Sequence, residues 1–385
     1  MKTAIVGGGA AGFFCAIRLK EMCPEAEVTI FERQRRVLAK VEISGGGRCN
    51  CTNTFAEVTD LRQVYPRGAH LLKRLFKQFG PQDAFAWFER HGVPLVVQAD
   101  QCVFPKAQDS HAIIRCFLHE ADRFGVELKL GQKIEQPERL LSVYDNVVVT
   151  TGGGNGVPSL FTFRIADETL HSLMGIVCSE AFCSIPGTKF RAQGPLLITH
   201  WGMSGPAILK LSSYAALYLA EHHYEAPLSV NWVGETNAEV VRAYIINIIE
   251  SNAGKVIDNV RAFGIHARLW TYLLAKNRLN GKRCNEIGRK GLNQLVETLT
   301  NDSYHIASRS PYKDEFVTCG GIPLDTVDSR TLESKQTPHL YYAGEVLDID
   351  GITGGFNFQA AWTTADAVAR GIVSNTRNQV FTPLP

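Results

Sequence analysis

The sequence has no apolar run of the ~20 residues needed to span a bilayer. Its first strand-like run begins by Thr3, which leaves no space for a secretory leader, so a cytoplasmic protein without a membrane partner is expected. It also lacks a dominant charge. The 40 Lys and Arg against 38 Asp and Glu leave a formal net charge of +2, which exerts no general pull on nucleic acid. Metal-ligand spacing is missing: ten cysteines are scattered without paired intervals, and no His/Cys/carboxylate cluster accompanies them. No metal site is expected, and in a reducing compartment these thiols act as small buried hydrophobes. Internal repeats and low-complexity segments are absent. The remainder, 385 residues that are 45% apolar and 20% charged, has the composition of a globular protein of two or three domains.

Residues 3 to 32 carry a complete nucleotide-binding pattern. The apolar run Ala4-Ile5-Val6 leads into Gly7-Gly8-Gly9-Ala10-Ala11-Gly12, then an apolar helical stretch, then Val28-Thr29-Ile30-Phe31 ending at Glu32. This is the order of a βαβ fingerprint, with the acid 20 positions after the last glycine. Gly7 allows the turn, Gly9 lets backbone approach a diphosphate, and Gly12 lets the helix pack closely. The anion lies on the free N–H groups of Ala10, Ala11 and their neighbours. Glu32, with Arg33 beside it, accepts the hydroxyls of an adenosine ribose and repels a 2′-phosphate, which suits FAD or NAD. Only one such fingerprint is present, so a nicotinamide cofactor, if used, binds transiently elsewhere.

Along the rest of the chain, residues 68–91 have helical spacing with Pro81 in a first turn, 93–104 alternate as a hairpin, and 111–124 return to helix. Asn146 to Thr151 form a buried strand that runs into Gly152-Gly153-Gly154, with Thr151 and Gly152 at its end. Residues 157–234 consist of short apolar runs broken by Gly and Pro and read as an inserted β domain. Thr236 to Glu239 fit a capping box that opens an inserted helical domain over 235–309. Residues 1–156 and 310–385 then form one discontinuous domain, rejoined through the strand at 340–345 and a helix at 359–373.

Two further loops carry chemistry. Ser44-Gly45-Gly46-Gly47-Arg48-Cys49-Asn50 offers backbone N–H groups, a guanidinium and small polar side chains, a set suited to phosphate or a flavin edge. Cys49 and Cys51 are read as two thiols packed near a cofactor. In the second loop, from Gly344-Glu345 through Asp348 and Asp350 to Gly354-Gly355-Phe356-Asn357, fixed donors meet a helix start. Such donors stabilise the charge of a reduced flavin, while Asp348 or Asp350 accepts from ribityl hydroxyls. Glu315 to Gly321 adds backbone nearby or is only a strand and turn. His200 and Ser204, in the turn Thr199 to Pro206, are weak catalytic candidates; a structural histidine is the blander reading.

These segments together resemble the bacterial BaiN-like, or aminoacetone-oxidase-type, family of NAD(P)/FAD-dependent oxidoreductases. The matching stretches are Ile5 to Gly12, Ser44 to Asn53, Val149 to Gly153, Pro195 to Pro206, Glu315 to Gly321 and Gly344 to Gln359. The resemblance implies an α/β architecture: a Rossmann-like FAD-binding domain of the two-dinucleotide-binding flavoprotein type, interrupted by a β-barrel-like and a helical domain, with FAD held non-covalently. One branch of the family is associated with reduction of unsaturated steroid-like substrates. The family carries a longer segment after the Thr-Gly-Gly turn, whereas here Gly156 passes directly to Val157, and 133–146 is short. Cys51 stands where an aliphatic residue is common. The family supplies no settled acid or base.

Two functions are open at this point. The first is an FAD-dependent oxidoreductase moving hydride between flavin N5 and a small or medium organic substrate, with NAD(P)H as a reductant or dioxygen as an oxidant. The second is a flavin-binding RNA-modifying or regulatory protein that docks through Lys282, Arg283, Arg289 and Lys290. A basic helix face is usually only solvated, which ranks the second below the first. Substrate identity and oligomeric state do not follow from the residues.

Overall fold

The computed structural model describes residues 1–153, 156–309 and 317–380, with side chains to 376. It divides into two compact units, Met1–Val157 with Val317–Pro385, and Pro158–Phe316. Gly154, Asn155 and residues 310–316, which include the proposed return at 310 and Glu315, lie outside the described residues.

The first unit is built on a parallel sheet of five strands. Its order is Leu340–Tyr342, Asn146–Val149, β1 (Lys2–Val6), β2 (Glu27–Glu32) and Glu127–Leu130. Ala4, Ile5 and Val6 are buried because both faces of a parallel sheet are covered. The connection from β1 to β2 is α1 (Ala10–Met22), which is buried from Ala11 to Leu19 apart from Arg18. Beside α1 lies the long helix Phe356–Val380, and the aromatic side chains of Phe14, Phe79, Trp87, Phe88, Phe117 and Trp362 close the layer with ring centroids 4.8–6.0 Å apart. Each such ring removed from water stabilises the unit by roughly 1.5–3 kcal/mol. The expected helix at 359 therefore begins earlier, at Phe356, and the pattern at 68–91 resolves into two helices, Ala69–Leu75 and Pro81–Arg90.

A charged cluster lies within this layer. Arg18 donates to Asp366 (2.8 Å) and pairs with Glu21. The Glu21 carboxylate accepts the Trp87 indole N–H at 3.2 Å and faces His91 Nε2 at 2.9 Å. His91 stacks on Trp87, with its Nδ1 2.7 Å from the Trp87 carbonyl oxygen. Both ring nitrogens thus face acceptors, which a ring protonated on both satisfies. Burial alone would lower the His91 pKa, but hydrogen bonds to Glu21 and Trp87 and the charges of Glu21 and Glu120 outweigh it, so the net shift is upward. A raised folded pKa gives stability that is complete below the unfolded value of about 6.5 and is lost as pH rises through the folded value. His91→Gln is expected to lower the melting temperature at pH 6 and to flatten the decline between pH 6 and 9. Superimposable melting profiles for the two proteins would refute this assignment.

In the second unit, strands Phe163–Ile165, Val177–Ser184, Arg191–Thr199, Gly202–Ser204, Ala226–Asn231 and Asp302–Arg309 close into a barrel. Closure removes the exposed edges that short strands would otherwise present. Residues 302–309, grouped with the helices in the sequence reading, are a barrel strand between Ala226–Asn231 and Phe163–Ile165. The helix Ala238–Ser251 is capped by Asn237, whose side chain accepts the Glu239 N–H, and not by the Thr236 box. Its Val241 and Ile245 join one core with Trp232, Trp270, Leu295 and the barrel interior.

Candidate functional site

Gly7, at φ 120°, turns the chain out of β1, and a Cβ there would lie 2.5 Å from the Thr150 carbonyl oxygen. A Cβ on Gly12 would come within 2.0 Å of the Gly7 carbonyl oxygen. These two glycines are fixed by packing. Gly9 is not: its φ is −94°, and a Cβ there would meet nothing within 4 Å among the described residues. Open space therefore lies over the start of α1, which has no side-chain cap and no acid in its first turn. The N–H groups of this turn, those of Ala10 and Ala11 among them, keep the partial positive charge of an uncapped helix. At the end of β2, Glu32 accepts the Gly8 and Gln34 N–H groups, each at 2.8 Å, and Arg33 beside it is exposed.

The second loop unwinds from α2 (Ala39–Gly47), where Ser44 is extended and Gly45, Gly46 and Gly47 have φ of 58°, 68° and 80°. A Cβ on Gly46 or Gly47 would meet nothing within 4 Å. Arg48 lies over the Phe104 ring at 4.4 Å and donates to the Gly45 carbonyl and Gln108. Cys49 and Cys51 are buried free thiols. Burial pushes the Cys49 thiol up to about 12 despite a hydrogen bond with Ser44, and burial together with Cys49 pushes Cys51 up as well. Neither is a ready thiolate.

This loop is joined to the C-terminal one. The Trp362 indole N–H donates to the Cys51 carbonyl (2.8 Å), Thr52 Oγ1 donates to Gln359 (2.6 Å), and Asn53 donates to the Gly354 carbonyl (3.1 Å). The Asn50 amide is oriented by its neighbours: its NH2 donates to the Thr52 and Val103 carbonyls, and its oxygen accepts the Gly355 N–H at 3.2 Å. Gly355, at φ 85°, lies so close that a Cβ would sit 2.2 Å from the Thr52 carbonyl oxygen. Phe356 packs edge-on to Phe55 at 5.1 Å, and its carbonyl accepts the Tyr65 hydroxyl.

A third group meets at the ends of the strands. Gly344, whose Cβ would lie 2.8 Å from that of Ala11, donates its N–H to the Thr364 hydroxyl oxygen (2.9 Å). Glu345 is fixed by the Thr318 N–H (3.0 Å) and hydroxyl (3.1 Å) and pairs with Lys40 at 2.6 Å. Both groups border Gly152, next to the exposed Thr151. Asp348 accepts the Gly320 N–H at 3.1 Å. Asp350 corrects the sequence reading: its side chain is fully buried, and both oxygens are taken by Arg67, so it has no place as a ribityl acceptor. The Asn357 amide closes its own loop on the Gly351 N–H and carbonyl, both at 2.8 Å, which leaves backbone as this segment's contribution to a ligand.

His200 and Ser204 belong to the barrel unit. His200 is exposed, edge-on to Trp201 at 4.3 Å, in the wall of a cleft of about 670 Å³ with Arg164, Asp167, His171 and Ser308. Ser204 is half-buried on its strand and does not line that cleft. Lys40, Tyr65, Arg67, Thr150 and Thr318 are the residues that sequence reasoning missed. Thr150, which ends a strand that runs into glycines, and Thr318, inside the stretch Glu315 to Gly321, had a local signal; the partners of the others are remote in sequence.

An open, uncapped helix start, an acid at the second strand and two glycine loops drawn together form a donor set that fits a dinucleotide such as FAD. Residues 1–371 match the family described as the HI0933-like protein Rossmann domain. The chain belongs to this family. It is a family of FAD-dependent oxidoreductases, the BaiN-like type that the sequence resembles. The chain is 26% identical over 408 aligned residues to the ribosomal RNA dihydrouridine synthase of Escherichia coli, covering 96% of this chain and 97% of that one. It is 23% identical to the 3-dehydro-bile acid delta(4,6)-reductase of Clostridium scindens, covering 96% and 98%. Among solved structures it is similar to the 3-ketosteroid delta1-dehydrogenase of Sterolibacterium denitrificans, with 10% identity, a TM-score of 0.45 and coverage of 97% of this chain and 99% of that one.

Proposed function

We propose that the protein is a reductase of carbon–carbon double bonds conjugated to a carbonyl, with NAD(P)H as its reductant. One observation carries this reading: the two named family relatives, which align over nearly the whole chain, share one chemistry. Conversion of uridine to dihydrouridine and reduction of a 3-oxo steroid diene both saturate an alkene polarised by a carbonyl. When bound, FAD supplies a two-electron store from which hydride passes to the β-carbon of such an acceptor. The chain's part is to hold it. Gly7, Gly9, Ala10, Ala11 and Gly12 take the diphosphate on backbone N–H groups, and Glu32 with Arg33 takes the adenosine end. Thr151-Gly152 and Gly344-Glu345 would border the diphosphate, and Ser44 to Asn50, Asp348 and Gly354 to Asn357 would hold the flavin and ribityl portions. The N–H groups of Phe356 and Asn357, in the first turn of the helix Phe356–Val380, would stabilise negative charge on a reduced ring.

The first test is an anaerobic visible spectrum during addition of NADPH and then NADH, followed by a 3-oxo-4-ene steroid. Bleaching by a nicotinamide and recovery on adding the enone are expected. A flavin that stays oxidised with both nicotinamides would sink the reductase reading in favour of an oxidase or a substrate-fed dehydrogenase. A second reading places the conjugated alkene in a uracil of RNA. It is supported by the dihydrouridine synthase relative and by Lys282, Arg283, Arg289 and Lys290, all exposed and, among the described residues, in no ion pair. Salt-sensitive RNA binding that survives neutralisation of these four side chains would remove this second argument.

A further inference from the structure

We propose that Lys40 is a side-chain cation of the cofactor cradle and that it serves the diphosphate. The inference rests on the cradle assigned above and adds to it a residue that the sequence does not mark. Lys40 Nζ is held 2.6 Å from Glu345, and Glu345 is itself immobilised by the Thr318 N–H and hydroxyl. An ammonium has three donors, and among the described residues this one spends a single donor, on Glu345, while its side chain stays 68% exposed. The position is specific. Lys40 Nζ and Glu345 lie 4.0 and 3.7 Å from where a Cβ on Gly152 would sit, two residues beyond Thr150, and the Thr150 hydroxyl donates to the Gly7 carbonyl in the turn that leads to α1. The cation thus stands at the strand ends beside the uncapped helix start.

Three other basic side chains of these loops are already engaged, and Arg33 and Arg35 follow Glu32 at the adenosine end. Arg48 lies on Phe104 and Gln108, Arg67 on buried Asp350, and Arg36 on Glu42. A diphosphate placed among Glu32, Glu345 and Asp348 would be repelled by three carboxylates, and Lys40 offsets Glu345, with which it pairs, while presenting donors of its own. An exposed ion pair contributes little to folding, so Lys40→Gln will fold, and its melting temperature without added ligand reports a purely structural role.

The experiment compares wild-type and Lys40→Gln protein, both stripped of FAD, in titrations with FAD and with ADP. ADP carries the adenosine and diphosphate but no flavin. Lys40→Gln is expected to weaken both ligands by the same factor, about tenfold, and to reduce the salt dependence of both. Loss of affinity for FAD alone would place Lys40 at the flavin and overturn the proposal. Unchanged affinity for both would make Lys40 a solvated surface cation and overturn it equally. Gly9→Trp separates this inference from the reading beneath it: if Gly9→Trp still binds FAD, the cradle itself is misplaced, whereas if Gly9→Trp fails to bind and Lys40→Gln binds normally, only the role of Lys40 falls.

Discussion

Gly9→Trp is expected to yield a folded, colourless protein. The backbone at Gly9 is one that any residue adopts, and no atom lies within 4 Å of the position its Cβ would take, so the fold makes no demand for glycine there. Only a ligand does. An indole over the first turn of α1 would cover the N–H groups assigned to the diphosphate, and FAD affinity should fall by at least about a hundredfold. The melting temperature should stay within about 2 °C of FAD-free wild-type protein, because no packed atom is displaced. Gly12 gives the contrast: a methyl group there meets the Gly7 carbonyl oxygen at 2.0 Å, so its substitution damages the fold and tells nothing about the ligand. Wild-type FAD content in Gly9→Trp, read from the visible band of purified protein, would mean that the diphosphate lies elsewhere.

Gly355→Ala is expected to do the opposite and cost stability first. The residue has a φ of 85°, where an alanine is strained by about 1 kcal/mol, and its new methyl group would overlap the Thr52 carbonyl oxygen. That carbonyl cannot retreat, since Trp362 anchors Cys51 on one side and Gly354 holds Asn53 on the other. A loss of about 3 kcal/mol, or roughly 6–12 °C in melting temperature, follows, with loss of bound flavin. Gly46→Ala is the control: its φ is also positive, at 68°, but a Cβ there meets nothing within 4 Å, so only the backbone strain should appear. If the two variants melt together, the two loops are not packed as described.

The turn from β1 into α1 is legible in the sequence because every part of it is local. Strand, glycines, helix and acid follow one another within 32 residues, and Gly7 and Gly12 each have a close neighbour that explains them. The small residues at 44–47 and 354–357 are legible as turns for the same reason. What the sequence does not disclose is which side chains these turns consume. Arg48 reads as a free guanidinium until Phe104 appears beneath it, Asp350 reads as a ligand until Arg67 takes both its oxygens, and Asn357 reads as a donor until it closes on Gly351. For Arg48 and Asp350 the partner belongs to a different element, and nothing in local spacing reveals a remote contact; for Asn357 it lies six residues back in the same loop. The barrel shows the same limit. Alternation marks the short strands, but the strand at 302–309 follows a helical run in sequence and joins the barrel through Ala226–Asn231 and Phe163–Ile165.

The bonds between Cys51 to Asn53 and Gly354 to Trp362 also set an order of events during synthesis. The Gly7 turn and the 44–53 loop leave the ribosome early, yet the carbonyls of Cys51 and Gly354 and the hydroxyl of Thr52 find their partners only after the segment near residue 362 has emerged. The barrel unit, continuous from Pro158 to Phe316, has no such wait and can be complete while the first unit still lacks the strand Leu340–Tyr342 and its long C-terminal helix. The nascent chain therefore carries the buried thiols, Phe14 and Trp87 without the helix that covers them for most of its translation. That interval, more than the finished fold, is when this protein is most exposed to oxidation and aggregation.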